Sequence, residues 1–318
     1  MKAIGGYFEL EINNLGSIYH DEALALNTGR NALEYILLYK KVKHIFIPYF
    51  TCDAILEPLK RLDISYTYYN IDVNFYPYIP SISKNDTLLY TNYFGICSDN
   101  INKLLTIIDD LIVDNAQAFY DKPKLNIPTF YSPRKFFGLP DGGFVYNCIT
   151  NKKISYDQDF SHDRLGHLIS RIEHNAEVGY LSFIENEKKL INQPIKLMSK
   201  LTRKLMIGID YESIRQQRLR NFHFFHEKFK NINILTKFID EAVFQCPLIY
   251  PLWNKNGEVI RGRLLENKIF TAMYWPNVLS TVSEDTLEFD FTNNIVCLPI
   301  DQRLSIEDMN FIIEIINE

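Results

Sequence analysis

The 318-residue sequence predicts an α/β protein with a mostly parallel central sheet flanked by helices and a smaller C-terminal α+β domain. Three observations predict it. Short β-branched or aromatic runs alternate with helical patterns as far as Asn147. A polar, helix-rich stretch without convincing strands then runs to about residue 243, and the tail returns to apolar runs before a last capped helix. Strand, helix, strand in succession requires crossover connections, and hence parallel pairing with both sheet faces covered.

In chain order, Asn27-Thr28-Gly29 opens a helix over 29–41, where Leu33, Ile36, Leu37 and Tyr39 recur at near-helical spacing. HIFIP (44–48) reads as a strand. Residues 53–62, with Ile55, Leu56, Leu59 and Leu62, read as a helix, and ISYTYYNI (64–71) and TLLYTNYF (87–94) as strands. A Ser98-Asp99 cap starts a helix over 99–109. LIVDNA (111–116) and GFVYN (143–147) complete the strands of the first half. Residues 210–230 form one long helix, with Ile214, Leu219, Phe222, Phe225 and Phe229 along one side, of the kind that bridges domains. The tail supplies FQCPLIY (244–250), a helix over 258–268, KIFTAMYW (268–275), NIVCLPI (294–300) and a helix capped by Ser305. This divides the chain into a large domain over 1–205, and a bridging helix with a small domain over 206–318.

Composition narrows the function. A hydrophobic content of 47% supports a real core, and a net charge of -5 leaves no electrostatic footprint for nucleic acid or an anionic membrane. The five cysteines, at 52, 97, 148, 246 and 297, have neither disulfide-framework nor zinc spacing, which fits a reducing compartment. The opening MKAIGGYFELE is acidic where a secretory segment is apolar, and no run approaches the ~20 apolar residues of a membrane span, so a cytoplasmic protein is expected.

In open parallel sheets, ligands bind beyond the carboxyl ends of the strands. Three segments stand at such ends. In LNTGRNAL (26–33) a small-polar-glycine turn starts a helix, so that free N–H groups and the helix dipole, with Arg30, could cradle a phosphate. In LIVDNAQAF (111–119) an apolar strand delivers Asp114, with Gln117 three residues on, and a carboxylate there wants a cationic or N–H partner. In YSPRKFFGLPDGG (131–143) Ser132 and Lys135 form an S-x-x-K arrangement among aromatics, with Arg134 adjacent, a setting that discourages the ammonium form of an imine-forming lysine. Each has a plain structural reading when taken alone: a capped helix with a surface Arg, a helix cap, a lysine stem lying over rings. Their order is what a pyridoxal-phosphate enzyme needs: an anion site, a partner for the ring nitrogen, an imine former.

The chain resembles the sugar aminotransferases of the DegT/DnrJ/EryC1/StrS family, within the fold type I pyridoxal-phosphate enzymes. Thr28-Gly29-Arg30-Asn31-Ala32-Leu33 is similar to the family's Ser-Gly-Thr-x-Ala-Leu turn, and Phe46-Ile47-Pro48-Tyr49-Phe50-Thr51 to its strand and Pro-x-x-Thr corner. Val113-Asp114-Asn115-Ala116-Gln117-Ala118 resembles its Asp-x-Ala-Gln-Ala signature. Lys135 with Asp141-Gly142-Gly143 resembles the Schiff-base lysine and following Glu-Gly-Gly, and Cys297-Leu298-Pro299-Ile300 its Leu-Pro-x-His ending. The resemblance implies a homodimeric enzyme that uses pyridoxal 5'-phosphate to move an amino group from an amino acid such as glutamate to a nucleotide-linked keto sugar for surface polysaccharides. In it Lys135 binds the cofactor, Asp114 keeps the ring nitrogen protonated, Gln117 orients the ring from its edge or contacts its phenolic oxygen, and Thr28, Gly29, Arg30 and Ser132 surround the phosphate.

The departures are specific. Arg30 stands where the family has Thr, Phe130 where it commonly has a phosphate-binding Ser, and Cys52 where an aromatic stacks on the ring; Phe50 and Tyr93 are the substitutes nearby. Lys135 argues against the dehydratase branch, where a His replaces it. A pyridoxal-phosphate enzyme for another small substrate, and a homologue that binds or regulates without catalysis, are the alternatives.

Overall fold

The alternating first half of the chain builds a seven-stranded sheet in the computed structural model, which describes residues 4–78, 86–148 and 155–318. Its strands are β1 (Leu24–Leu26), β2 (His44–Pro48), β3 (Ser65–Tyr69), β4 (Thr87–Thr91), β5 (Leu111–Asp114), β6 (Thr129–Tyr131) and β7 (Gly143–Tyr146), in the order β1-β7-β6-β5-β4-β2-β3. The run from β3 to β6 is parallel, and β7 is antiparallel to both β1 and β6.

Side-chain alternation sends each strand's residues to two apolar layers. Ile45, Ile47, Leu89, Ile112 and Val145 pack beneath α1 (Gly29–Lys40) and α2 (Leu56–Arg61). Phe46, Leu88, Tyr90, Leu111, Val113 and Phe144 face the opposite layer, which includes Ile101 and Leu104 of α3 (Ser98–Leu104). Burial on both faces explains why these strands read as continuous apolar runs. Helix α1 starts where Thr28 Oγ1 accepts the Asn31 N–H at 3.0 Å, and ends at Lys41, whose φ of 56° is left-handed.

Beyond the sheet come α4 (Gly166–Glu173), α5 (Ala176–Leu190), α6 (Lys200–Ile207), the long α7 (Tyr211–Phe229) and α8 (Thr236–Glu241). A second sheet pairs β8 (Ile249–Trp253) antiparallel to β9 (Ile295–Pro299), with α9 (Gly257–Glu266), α10 (Leu287–Asn294) and α11 (Ile306–Asn317) around it. Tyr250, Val296 and Leu298 of this sheet share one apolar cluster with Tyr90 and Val113 of the first.

The structure departs from the sequence expectations in several places. Strands β1 and β6 were not anticipated; at three residues each they are too short for an alternating pattern. The tail strand lies at 249–253 rather than 244–250, and KIFTAMYW (268–275) is irregular apart from one bridge, Ala272 to Cys297. The third helix stops at Leu104, and α10 was not foreseen.

Candidate active site

At the start of α1 the backbone of the 27–30 turn lies against β7 and the Ser132 turn. Gly142 N donates to Asn27 O at 2.6 Å, and a Cβ on Gly143 would stand 2.3 Å from Thr28 O, so only glycine permits this approach. A Cβ on Gly29 would meet Ser132 Cβ at 3.4 Å and Oγ at 3.7 Å, which brings two of the expected phosphate residues together. At this helix start Asn31's N–H goes to Thr28 Oγ1, and Ala32's makes the first i→i−4 bond, to Thr28 O. Gly29's lies along the parallel bridge that pairs Thr28 with Gly142, and Arg30's has no partner among the described residues and is open to an anion. The Thr28 hydroxyl itself donates to Asn31 Oδ1 at 2.6 Å, and the Arg30 guanidinium pairs with Glu57 at 3.4 Å. Both side chains therefore already have partners.

Asp114 ends β5, 7% exposed, and its Oδ1 accepts the Ala116 N–H at 2.8 Å. Burial pushes its carboxyl above the ordinary carboxylate value, opposed by the positive charge of Lys135 and by the Ala116 N–H. Gln117 is fixed by the turn after β4: its Oε1 accepts the Phe94 N–H at 2.7 Å. That bond assigns the amide's orientation and leaves Nε2 buried without a partner among the described residues. The turn is sterically demanding, for Phe94 has φ 54°, and a Cβ on Gly95 (φ 76°) would lie 2.7 Å from Gln117 O.

Lys135 closes a short 3-10 turn, Pro133–Lys135, that follows β6. In the single chain it is exposed, yet its charge is felt at Asp114 and at Cys52, and its Nζ stands 5.9 Å from the centre of the Tyr274 ring. The setting differs from the one anticipated. Arg134 does not crowd Lys135 with a second charge but pairs with Glu187 of α5, and Phe136 lies beneath the Arg218 guanidinium, 4.7 Å from ring centre to Cζ. Phe50 and Tyr93 are fully buried in the core, stacked on each other at 5.4 Å. Tyr274 went unnoticed in the sequence, since it sits far along the chain in an irregular stretch that carries no motif.

Asp141 is buried below the turn and accepts from Ser199 N and Oγ, both at 3.1 Å, and from the Thr202 hydroxyl, with Arg164 at 3.5 Å. It anchors the start of α6. The two glycines behind it, not its carboxylate, shape the site. A separate groove of about 280 Å³, lined by Ser98, Asn115, Asp121, Lys124 and Gln245 among others, includes neither Lys135 nor Asp114.

No family model and no curated protein sequence matches the chain. Solved structures do. Spr1654 of Streptococcus pneumoniae, known in apo-, PLP- and PMP-forms, is 16% identical in its apo-form, with a TM-score of 0.63 over 92% of this chain and 85% of that one. The sugar aminotransferase CalS13 of Micromonospora echinospora is 15% identical, with a TM-score of 0.63 over 94% and 88%. A DegT DnrJ EryC1 StrS aminotransferase of Brucella abortus is 15% identical, with a TM-score of 0.59 over 94% and 86%. In fold, this chain is similar to solved sugar aminotransferases, among them one of the DegT DnrJ EryC1 StrS type.

Proposed function

We propose that the protein is a pyridoxal-phosphate-dependent aminotransferase, which takes an amino group from an amino acid such as glutamate and delivers it to a nucleotide-linked keto sugar used in surface polysaccharides. The observation that carries the reading is the juxtaposition of Lys135 with the buried Asp114 at the carboxyl ends of β5 and β6, beside the turn that opens α1. The residues fit the cofactor. The unpartnered Gln117 Nε2 suits a ring oxygen, and the glycine cradle at Gly29 with Ser132 suits a phosphate. Asp114 retains Oδ2 as an acceptor for a protonated ring nitrogen.

When bound, pyridoxal phosphate supplies an electron sink that stabilises negative charge at the carbon bearing the amine. Everything else falls to the chain. Lys135 Nζ holds the cofactor between turnovers and, once released, takes a proton from one carbon and returns it to another. Asp114 keeps a proton on the ring nitrogen by presenting a negative charge in a dry place, where such a charge acts strongly. Thr28 and Arg30 act by building the turn and, through Arg30's N–H, by binding the phosphate.

Homodimerisation and a cytoplasmic setting belong to the same reading. Apolar side chains stand bare on the α4–α5 hairpin, among them Ile172 at 82% and Leu181 at 74% exposure, and a second copy would cover them. No helix among the described residues is long and apolar enough to cross a membrane.

Borohydride treatment of the purified yellow protein, followed by peptide mapping, should place the reduced cofactor on Lys135, and Lys135→Ala should fold but lose transamination. A colourless protein that takes up no cofactor, or turnover by the alanine variant, would refute the assignment.

A further inference from the structure

The corner after β2 ends at Cys52, which offers no ring. Its aromatic neighbours are committed to the core: Phe50 and Tyr93 are 0% exposed and pack against Phe75 and Trp275 as well as each other. The aromatic surface facing Lys135 comes instead from the other end of the chain. Tyr274, in the irregular stretch between α9 and α10, presents its ring 5.9 Å from Lys135 Nζ, within the range at which a cation is drawn to a ring face.

Tyr274 is also held in place. Its ring packs against Phe94 at 6.1 Å and Trp275 at 5.4 Å, and Phe94 is the residue whose N–H fixes Gln117. Two side chains expected to meet the cofactor ring, Lys135 and Gln117, thus share Tyr274 as a neighbour, directly or through Phe94. Burial, foremost, pushes its phenol upward, so the ring stays neutral across the working range.

We propose that Tyr274 supplies the aromatic surface for the cofactor ring held at Lys135, in place of the residue that the Cys52 corner lacks. This rests on the reading of Lys135 as the cofactor lysine. It makes retention of the cofactor depend on how the C-terminal part of the chain docks on the first sheet.

The test is a titration of full-length protein, stripped of cofactor, with pyridoxal phosphate, followed by visible absorbance and by circular dichroism of the bound cofactor. Tyr274→Leu should bind about tenfold more weakly and change the dichroism, and Tyr274→Phe should stay within about twofold of wild type, because the ring and not the hydroxyl makes the contact. Cys52→Ala should also stay within about twofold. Should Tyr274→Leu melt early, Tyr274→Met, which fills more of the volume without a ring, is titrated by the same criteria. Unchanged affinity in the folded Leu or Met variant, or an equal loss in Cys52→Ala, overturns the inference while leaving the functional reading intact. Wild-type protein that binds no cofactor overturns that reading itself.

Discussion

Asp114 is held against its own preference. Burial raises its carboxyl above the ordinary carboxylate value, and the nearby positive charge of Lys135 and the Ala116 N–H only partly offset that. A folded-state pKa above the unfolded one means that the stabilising form is the uncharged one; its contribution is complete below the unfolded value and is lost as pH rises through the folded value. At neutral pH the carboxylate therefore costs stability, and Asp114→Asn, a near-isostere that carries no charge, should melt no lower than wild type. The same variant should keep its cofactor and lose at least about a hundredfold in kcat, since an amide cannot hold a proton on the ring nitrogen. Thermal melts and single-turnover kinetics read the two effects separately. Turnover near the wild-type rate would remove Asp114 from its role, and a large fall in melting temperature would mark it as structural instead.

The glycines that follow Asp141 show how one strand is fitted to one turn. β7 runs so close to the opening of α1 that any Cβ on Gly143 would collide with Thr28 O, an atom of backbone that cannot swing away. Gly143→Ala should cost about 1–3 kcal/mol through overpacking and weaken phosphate binding by moving the turn, as checked by urea unfolding and cofactor titration. Gly262, in the interior of α9 with open space where a Cβ would stand, is the control: Gly262→Ala should stabilise by up to about 1 kcal/mol and leave binding untouched. Equal effects at both positions would refute the close-approach argument. These elements were largely legible beforehand. Strands β2, β4 and β5 announce themselves because both of their faces are buried, and α1 because Thr28 caps it. Strands β1 and β6 escape because three residues cannot show a period, and their pairing is decided by long-range contacts. Of the candidate site, Asp114 and Gln117 could be proposed from sequence because they leave an apolar run, and Lys135 because of its S-x-x-K setting before Asp141-Gly142-Gly143. Tyr274 could not, because its place is set by how the chain's distant end packs on Phe94, and no local pattern encodes that.

The α4–α5 hairpin links the Lys135 turn to the molecule's surface. Glu187 of α5 pairs with Arg134, the residue before Lys135, and Leu168 of α4 lies 3.4 Å from where a Cβ on Gly138 would stand. The hairpin's outer side carries Ile172 and Leu181 almost bare, an arrangement that water disfavours and a second copy would relieve. Covering each such side chain is worth about 2 kcal/mol, and a C2 interface counts it twice. Sedimentation should therefore give about twice the 37.4 kDa of one chain, and Ile172→Asp with Leu181→Asp should weaken association by at least about a hundredfold. Because the hairpin grips the Arg134 turn, the separated chains should also release cofactor more readily, although neither substituted residue is among those assigned to hold it. Monomeric wild-type protein would remove the dimer from the proposal. A double variant that sediments as wild type would place the interface elsewhere, and one that dissociates with unchanged cofactor affinity would show that the Lys135 turn keeps its geometry without a neighbour behind the hairpin.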